Sequence, residues 1–86
     1  MKPLVVVKHT DIENDDLCKI LLDARSAMIL GATKQARLEK KSASEIRMSR
    51  MEADRMSIKM SGRCMKVGTM QEAMMIVREY VDIEII

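Results

Sequence analysis

The sequence predicts an α+β fold, a two-layer sandwich of two helices packed on a small, mostly antiparallel sheet, in the order βαββα(β). Three observations predict it. A β-branched run, Leu4-Val5-Val6-Val7, opens the chain; a long apolar stripe with an acidic start follows it; and residues 54–81 read as a hairpin feeding a capped helix. If residues 81–86 pair as a last strand, the topology is ferredoxin-like. All 86 residues form one small domain, with a basic connector at about 32–50.

The first strand spans Pro3 to Lys8 and is apolar on both faces, which suggests a place inside a sheet. Proline is tolerated at a strand's first residue. Thr10-Asp11-Ile12-Glu13 and then Asn14-Asp15-Asp16 offer two sets of helix caps, with negative charge where the helix dipole favours it. The helix that follows is read as far as Leu30, with Gly31 ending it. Leu17, Leu21, Ala24 and Met28 form its main stripe, widened by Ile20 and Ala27. Cys18, Leu22 and Ile29 form a second apolar edge, broken by Arg25. An arc that wide should be covered on more than one side, and another subunit is one source of cover.

Residues 32–44 hold one large apolar side chain, Leu38, and read as a solvated helix extension or a mobile segment. Ser42-Ala43-Ser44-Glu45 offers a new cap. Between Glu45 and Arg55 the periods conflict: Ile46 and Met48 alternate like a strand, whereas Met48, Met51 and Arg55 keep helical spacing. The strand or irregular reading is preferred. Met56, Ile58 and Met60 then alternate with Ser57, Lys59 and Ser61, Ser61-Gly62 makes a tight turn, and residues 63–67 return. Thr69-Met70-Gln71-Glu72 is a capping box, ahead of a stripe of Met70, Ala73, Met74, Val77 and Val81. Ile83 and Ile85 alternate with Asp82 and Glu84, so the chain ends in a short strand.

Composition narrows function mainly by exclusion. Apolar residues at 48% and charged residues at 33% exclude wholesale disorder. There is no Phe or Trp, one Tyr and ten Met. Met pads irregular cores and also suits adaptable binding surfaces. Net charge is +2, unevenly spread: residues 1–33 carry four basic and five acidic side chains, residues 34–66 ten and four, and residues 67–86 one and four. A basic middle lies between mildly acidic ends.

His9 is the sole histidine and no nucleophile is placed beside it. The three glycines are isolated, so no phosphate loop is present, and the acidic residues 11–16 lack calcium-loop spacing. No cofactor, metal or catalytic residue is expected. Cys18 and Cys64 stand alone in no metal or redox pattern and read as two buried thiols in a reducing cytosol. The four straight apolar residues near the start are too few for a signal peptide, and no run approaches the ~20 residues of a membrane span. The reading is a cytoplasmic protein with no membrane partner.

Two features remain. Lys34, Arg37, Lys40, Lys41, Arg47 and Arg50 could line phosphates, with 34, 37 and 41 sharing a helical face, although interspersed acids and the lack of stacking aromatics argue for a solvated face. Met75 lies on the polar side of the last helix and, with Cys18, Leu22 and Ile29, suggests a contact with another chain. The strand–helix–hairpin–helix layout resembles small archaeal subunits of the tRNA-modifying KEOPS complex. Ile58-Lys59, Gly62-Arg63 and Ile76-Val77-Arg78 are loosely similar to a stretch of the archaeal Alba nucleic-acid-binding proteins. Residues 31–55 match neither pattern, and no residue role is carried over. The leading expectation is therefore a small non-enzymatic protein–protein interaction module, a homodimer or a subunit of a larger assembly. The alternative is an RNA- or DNA-binding protein using residues 34–66.

Overall fold

A computed structural model describes all 86 residues and corrects the predicted architecture. The elements are β1 (Leu4–Val7), α1 (His9–Glu13), α2 (Leu17–Leu38), α3 (Ala43–Cys64), α4 (Met70–Tyr80) and β2 (Asp82–Ile85). The chain is 70% helical with a single two-stranded parallel sheet. It is neither a two-layer sandwich on an antiparallel sheet nor ferredoxin-like. The predicted hairpin is instead part of α3, the predicted connector is divided among the end of α2, a short turn and the start of α3, and α3 pairs with α2 as a long helical hairpin. The layout that resembles the KEOPS subunits included that hairpin and loses its basis with it.

The reason lies in the packed face of α3. Ile46, Ser49, Ala53, Ser57, Met60 and Cys64 recur at helical spacing and are the residues most withdrawn from solvent on that helix, apart from a few at its edges. Half of this stripe is Ser or Ala, so it carries almost no apolar signal. Of the alternating trio Met56, Ile58 and Met60, only Met60 is buried. Small residues let helix backbones approach closely, and Arg, Met, Glu, Ala and Lys all favour helix. Ser42 completes a capping box: its hydroxyl accepts from the Glu45 amide (3.3 Å) and its own amide donates to the Glu45 carboxylate (3.1 Å). Ser42→Ala should lower the melting free energy by about 1 kcal/mol, read by denaturant titration.

Gly31 does not end α2. The helix passes through it, and a Cβ added there would come within 3.3 Å of the Pro3 side chain, so glycine gives room for the entry of β1. The helix stops instead at a left-handed Lys40 (φ 55°). The Lys41 amide donates to the Ala36 carbonyl and the Lys40 amide to the Arg37 carbonyl, both at 3.0 Å, the two bonds of a Schellman stop. Glycine is the usual occupant of that position because it avoids the Cβ clash. Lys40→Gly should therefore raise stability, by up to about 1 kcal/mol in the same titration.

Both terminal strands form, but residues 9–13, read as a helix start, make the separate short helix α1. Asp16 caps α2, accepting from the Lys19 amide at 3.2 Å. Thr69 caps α4, accepting from the Glu72 amide at 3.2 Å, although the Glu72 carboxylate takes the Thr69 hydroxyl rather than its amide. β1 and β2 run parallel, with Val5 opposite Ile83 and Val7 opposite Ile85. Val5 and Val7 are buried while Leu4 and Val6 are exposed, so the sheet is covered on one face and not two. His9 closes the sheet end through its amide and its Nδ1–H, both donating to the Ile86 carbonyl (2.7 and 2.9 Å).

One apolar core joins Val5, Val7, Ile20, Leu21, Ala24, Met28, Met60, Cys64, Ala73, Met74, Val77 and Val81. All of it sits at the sheet end of the hairpin. Beyond Met28 and before Ser57 only Ala36 is buried, so the distal half of the hairpin projects as a two-helix arm. The molecule measures 42 × 26 × 17 Å. Its radius of gyration, 13.5 Å, exceeds the ~12 Å of a compact chain this long, which is the arm's contribution.

Candidate interaction surface

The outward face of the hairpin is organised around one ion pair. Arg25 on α2 reaches Asp54 on α3 through Nε and Nη2, each 2.8 Å from Oδ1. Residues three and four apart on a helix are surface neighbours, so this pair fixes which residues share its side. On α2 those are Leu22 and Ile29; on α3 they are Met51 and Ile58. Leu22 is 55% exposed, Met51 51% and Ile58 63%, while Ile29 is half-buried. Cys18, one turn from Leu22, is also exposed, which corrects the expectation that both thiols are buried. Three of the four predicted interface residues therefore lie along one helix edge beside an apolar strip of α3.

That strip is longer than the pair suggests. Met48, Met51, Arg55, Ile58, Gly62 and Met65 recur at alternating intervals of three and four, the seven-residue repeat of a coiled-coil seam. All are exposed, and the seam lies opposite the packed stripe of Ile46, Ala53 and Met60. A shallow groove lined by Glu45, Met48, Met51, Glu52 and Arg55 runs along its first half. The same spacing is present in the sequence, hidden by the reading of residues 56–67 as strands.

The fourth predicted residue, Met75, is exposed on α4, a different element. The inner side of α4 is tied to α3 by Arg63. Its two terminal nitrogens each donate to a Glu79 oxygen at 2.9 Å, one also donates to the Tyr80 hydroxyl at 3.0 Å, and the guanidinium carbon lies 5.7 Å from the Tyr80 ring centre. The hydrogen bonds from Arg63 hold the Glu79 carboxyl below the usual carboxylate range. Burial pushes the Cys64 thiol up, and its S–H donates to the Ala73 carbonyl at 3.6 Å, so it is an inert packing group.

The six basic candidates gather at the tip of the arm. Lys34 and Arg37 lie on the last turns of α2, Lys40 and Lys41 in the connecting turn, and Arg47 and Arg50 on the first turns of α3, all exposed. Lys41 falls outside the helix and so does not share a helical face with Lys34 and Arg37. Two acids sit among them, both already engaged. Glu39 accepts from Gln35 at 3.0 Å and pairs with Lys41 at 3.3 Å; Glu45 belongs to the capping box. The Gln35 and Lys41 hydrogen bonds lower the Glu39 carboxyl and the Ser42 amide lowers that of Glu45. A depressed folded-state pKa means stabilisation present above the ordinary carboxylate range and lost as pH falls through the folded value. Protection factors for amide exchange at the tip, corrected for the intrinsic pH dependence, should therefore fall on acidification before those of the core.

No three His, Cys, Asp or Glu side chains are placed to hold a metal ion. No helix is long and apolar enough to cross a membrane. No family model matches this chain, and no curated protein or solved structure matches it.

Proposed function

We propose that this protein is a non-enzymatic protein–protein interaction module, acting as a homodimer or as a subunit of a larger assembly in the cytoplasm. The observation that carries the reading is the exposure of Leu22 on α2 and of Met51 and Ile58 on α3, each three or four residues from a member of the Arg25–Asp54 pair. Surface area supports it. A compact 9.8-kDa monomer exposes about 5,200 Å², whereas this chain exposes 6049 Å². The excess, roughly 850 Å², is close to the ~800 Å² that one partner contributes to a standard interface. Leu22→Lys with Ile58→Lys should leave the melting temperature almost unchanged and reduce the mass of the native assembly on size exclusion. A parent chain that elutes alone, in its own cell extract and when concentrated, contradicts the reading.

A second reading follows from one specific observation, the gathering of six cations at the arm's tip with both local acids occupied. In it the tip straddles phosphates of RNA or DNA. Four contacts from Lys34, Arg37, Lys40 and Lys41 imply a slope of log affinity against log salt of about −3.6 for duplex DNA. Absence of a mobility shift with RNA or DNA at low salt removes this reading.

A further inference from the structure

We infer that the α3 seam pairs with the same seam of a second copy, antiparallel, across a two-fold axis near residue 56. This rests on the interaction-module reading and names its partner.

The seam itself sets the layers. In an antiparallel pairing, Met48 meets Met65 of the second copy, Met51 meets Gly62, and Arg55 meets Ile58. Met51 then faces the smallest residue of the seam, and the aliphatic stem of Arg55 lies along Ile58. Gly62 has no atom within 4 Å of where a Cβ would stand, so within one chain nothing uses its small size. A mid-helix glycine costs about 1 kcal/mol relative to alanine. The second copy gives it a use, as the hole that receives Met51.

The flanking charges fit this orientation, and the seam residues themselves disfavour the parallel one. Glu45, Glu52, Lys59 and Lys66 recur every seven residues along one edge of the seam, and all are exposed. Antiparallel pairing brings each such edge against itself in reverse. Glu52 then faces Lys59 of the second copy, a pair that occurs twice by symmetry, whereas Lys66 lies just past the end of α3. Neither Glu52 nor Lys59 makes an ion pair within its own chain. Parallel pairing stacks Arg55 on Arg55 and Gly62 on Gly62, a like-charge contact and a void in the same seam. An anionic membrane surface is a weaker fit, since the seam has no aromatic or Leu anchor and the first half of its flank, Glu45 and Glu52, is acidic.

The test is sedimentation equilibrium of the 86-residue protein at low salt, with reductant present because Cys18 is exposed. The parent should approach twice 9.8 kDa as concentration rises. Glu52→Lys alone, and Lys59→Glu alone, should each weaken association by about tenfold or more, since each replaces two attractions with two repulsions. The double variant Glu52→Lys/Lys59→Glu should recover the parent's affinity. Circular dichroism melts serve as the folding control, and all four proteins should melt alike when monomeric. A parallel pair sets Arg47 beside Glu52 and Asp54 beside Lys59, so there the double variant associates most weakly of all. That result, or a dimer indifferent to these charges, overturns the inference. A parent that stays monomeric also overturns it. If that monomer still enters a larger assembly lost in Leu22→Lys/Ile58→Lys, the interaction-module reading stands without self-pairing.

Discussion

Val77→Asp leaves the chain unfolded at 25 °C, with the α-helical circular dichroism lost. Val77 is 0% exposed and sits in the cluster that joins α4 to β1, α2 and α3. A carboxylate there finds no cation among Val5, Val7, Ile20, Met60 and their neighbours. An unpaired buried charge costs several kcal/mol even after the protein relaxes or the group protonates. At 0.05–0.15 kcal/mol per residue, an 86-residue domain has about 4–13 kcal/mol in hand. This domain lies toward the low end, because only 14 residues are buried and half of its hairpin rests on almost no core. Acidification should partly restore folding, since protonating the introduced carboxyl removes the charge. A variant that melts with the parent would show that α4 does not close the core.

Adjacent residues on α3 give the second large effect, with opposite outcomes. Ser57→Leu should destabilise by about 3 kcal/mol, the upper part of the range for overpacking, whereas Ile58→Lys should leave the monomer's stability within about 0.5 kcal/mol. Ser57 is 1% exposed against α2, and its hydroxyl donates to the Asp54 carbonyl at 2.7 Å. There is no room for three further carbons without parting α2 and α3. Ile58 faces solvent beside Arg55 and Gly62. A strand through these residues reverses the result, because Ile58 then belongs to the core and Ser57 to solvent. Urea titrations of the two variants distinguish the alternatives.

The same pair of residues shows why part of the fold was legible in the sequence and part was not. Where large apolar residues face the core, spacing identifies the element: Leu21, Ala24 and Met28 on α2, and Ala73, Met74 and Val77 on α4, are read and buried as expected. Caps at Asp16, Ser42 and Thr69 mark three helix starts. On α3 the logic inverts. Half of its packed stripe is Ser49, Ala53 and Ser57, whereas most of its large apolar residues, Met48, Met51, Met56 and Ile58, are exposed. Patterning by hydrophobicity then favours a half-buried strand, and Gly62 reinforces the error by suggesting a turn. The stop signals mislead in the same way, for Gly31 lies inside α2 and Lys40 does the work expected of a glycine.

The candidate surface divides likewise. The α2 edge of Cys18, Leu22 and Ile29 follows from an apolar arc too wide for one neighbour, and the basic residues follow from charge counting. The α3 seam does not, because its members are divided among a stretch of conflicting periods, a strand face and a turn in the sequence reading. Two conflicting periods over residues 45–55 were the visible trace of a helix with two unlike faces.

The central claim is that the exposed Met and Ile side chains of α3 form the surface by which this protein associates. Methyl NMR of the ten methionines through a dilution series tests it most directly. The signals of Met48, Met51 and Met65 should shift and broaden together as concentration rises, while buried Met60 and Met74, and exposed Met75 on α4, stay in place. Shifts confined to Met75, or a spectrum in which the three seam methyls never move, would contradict the account.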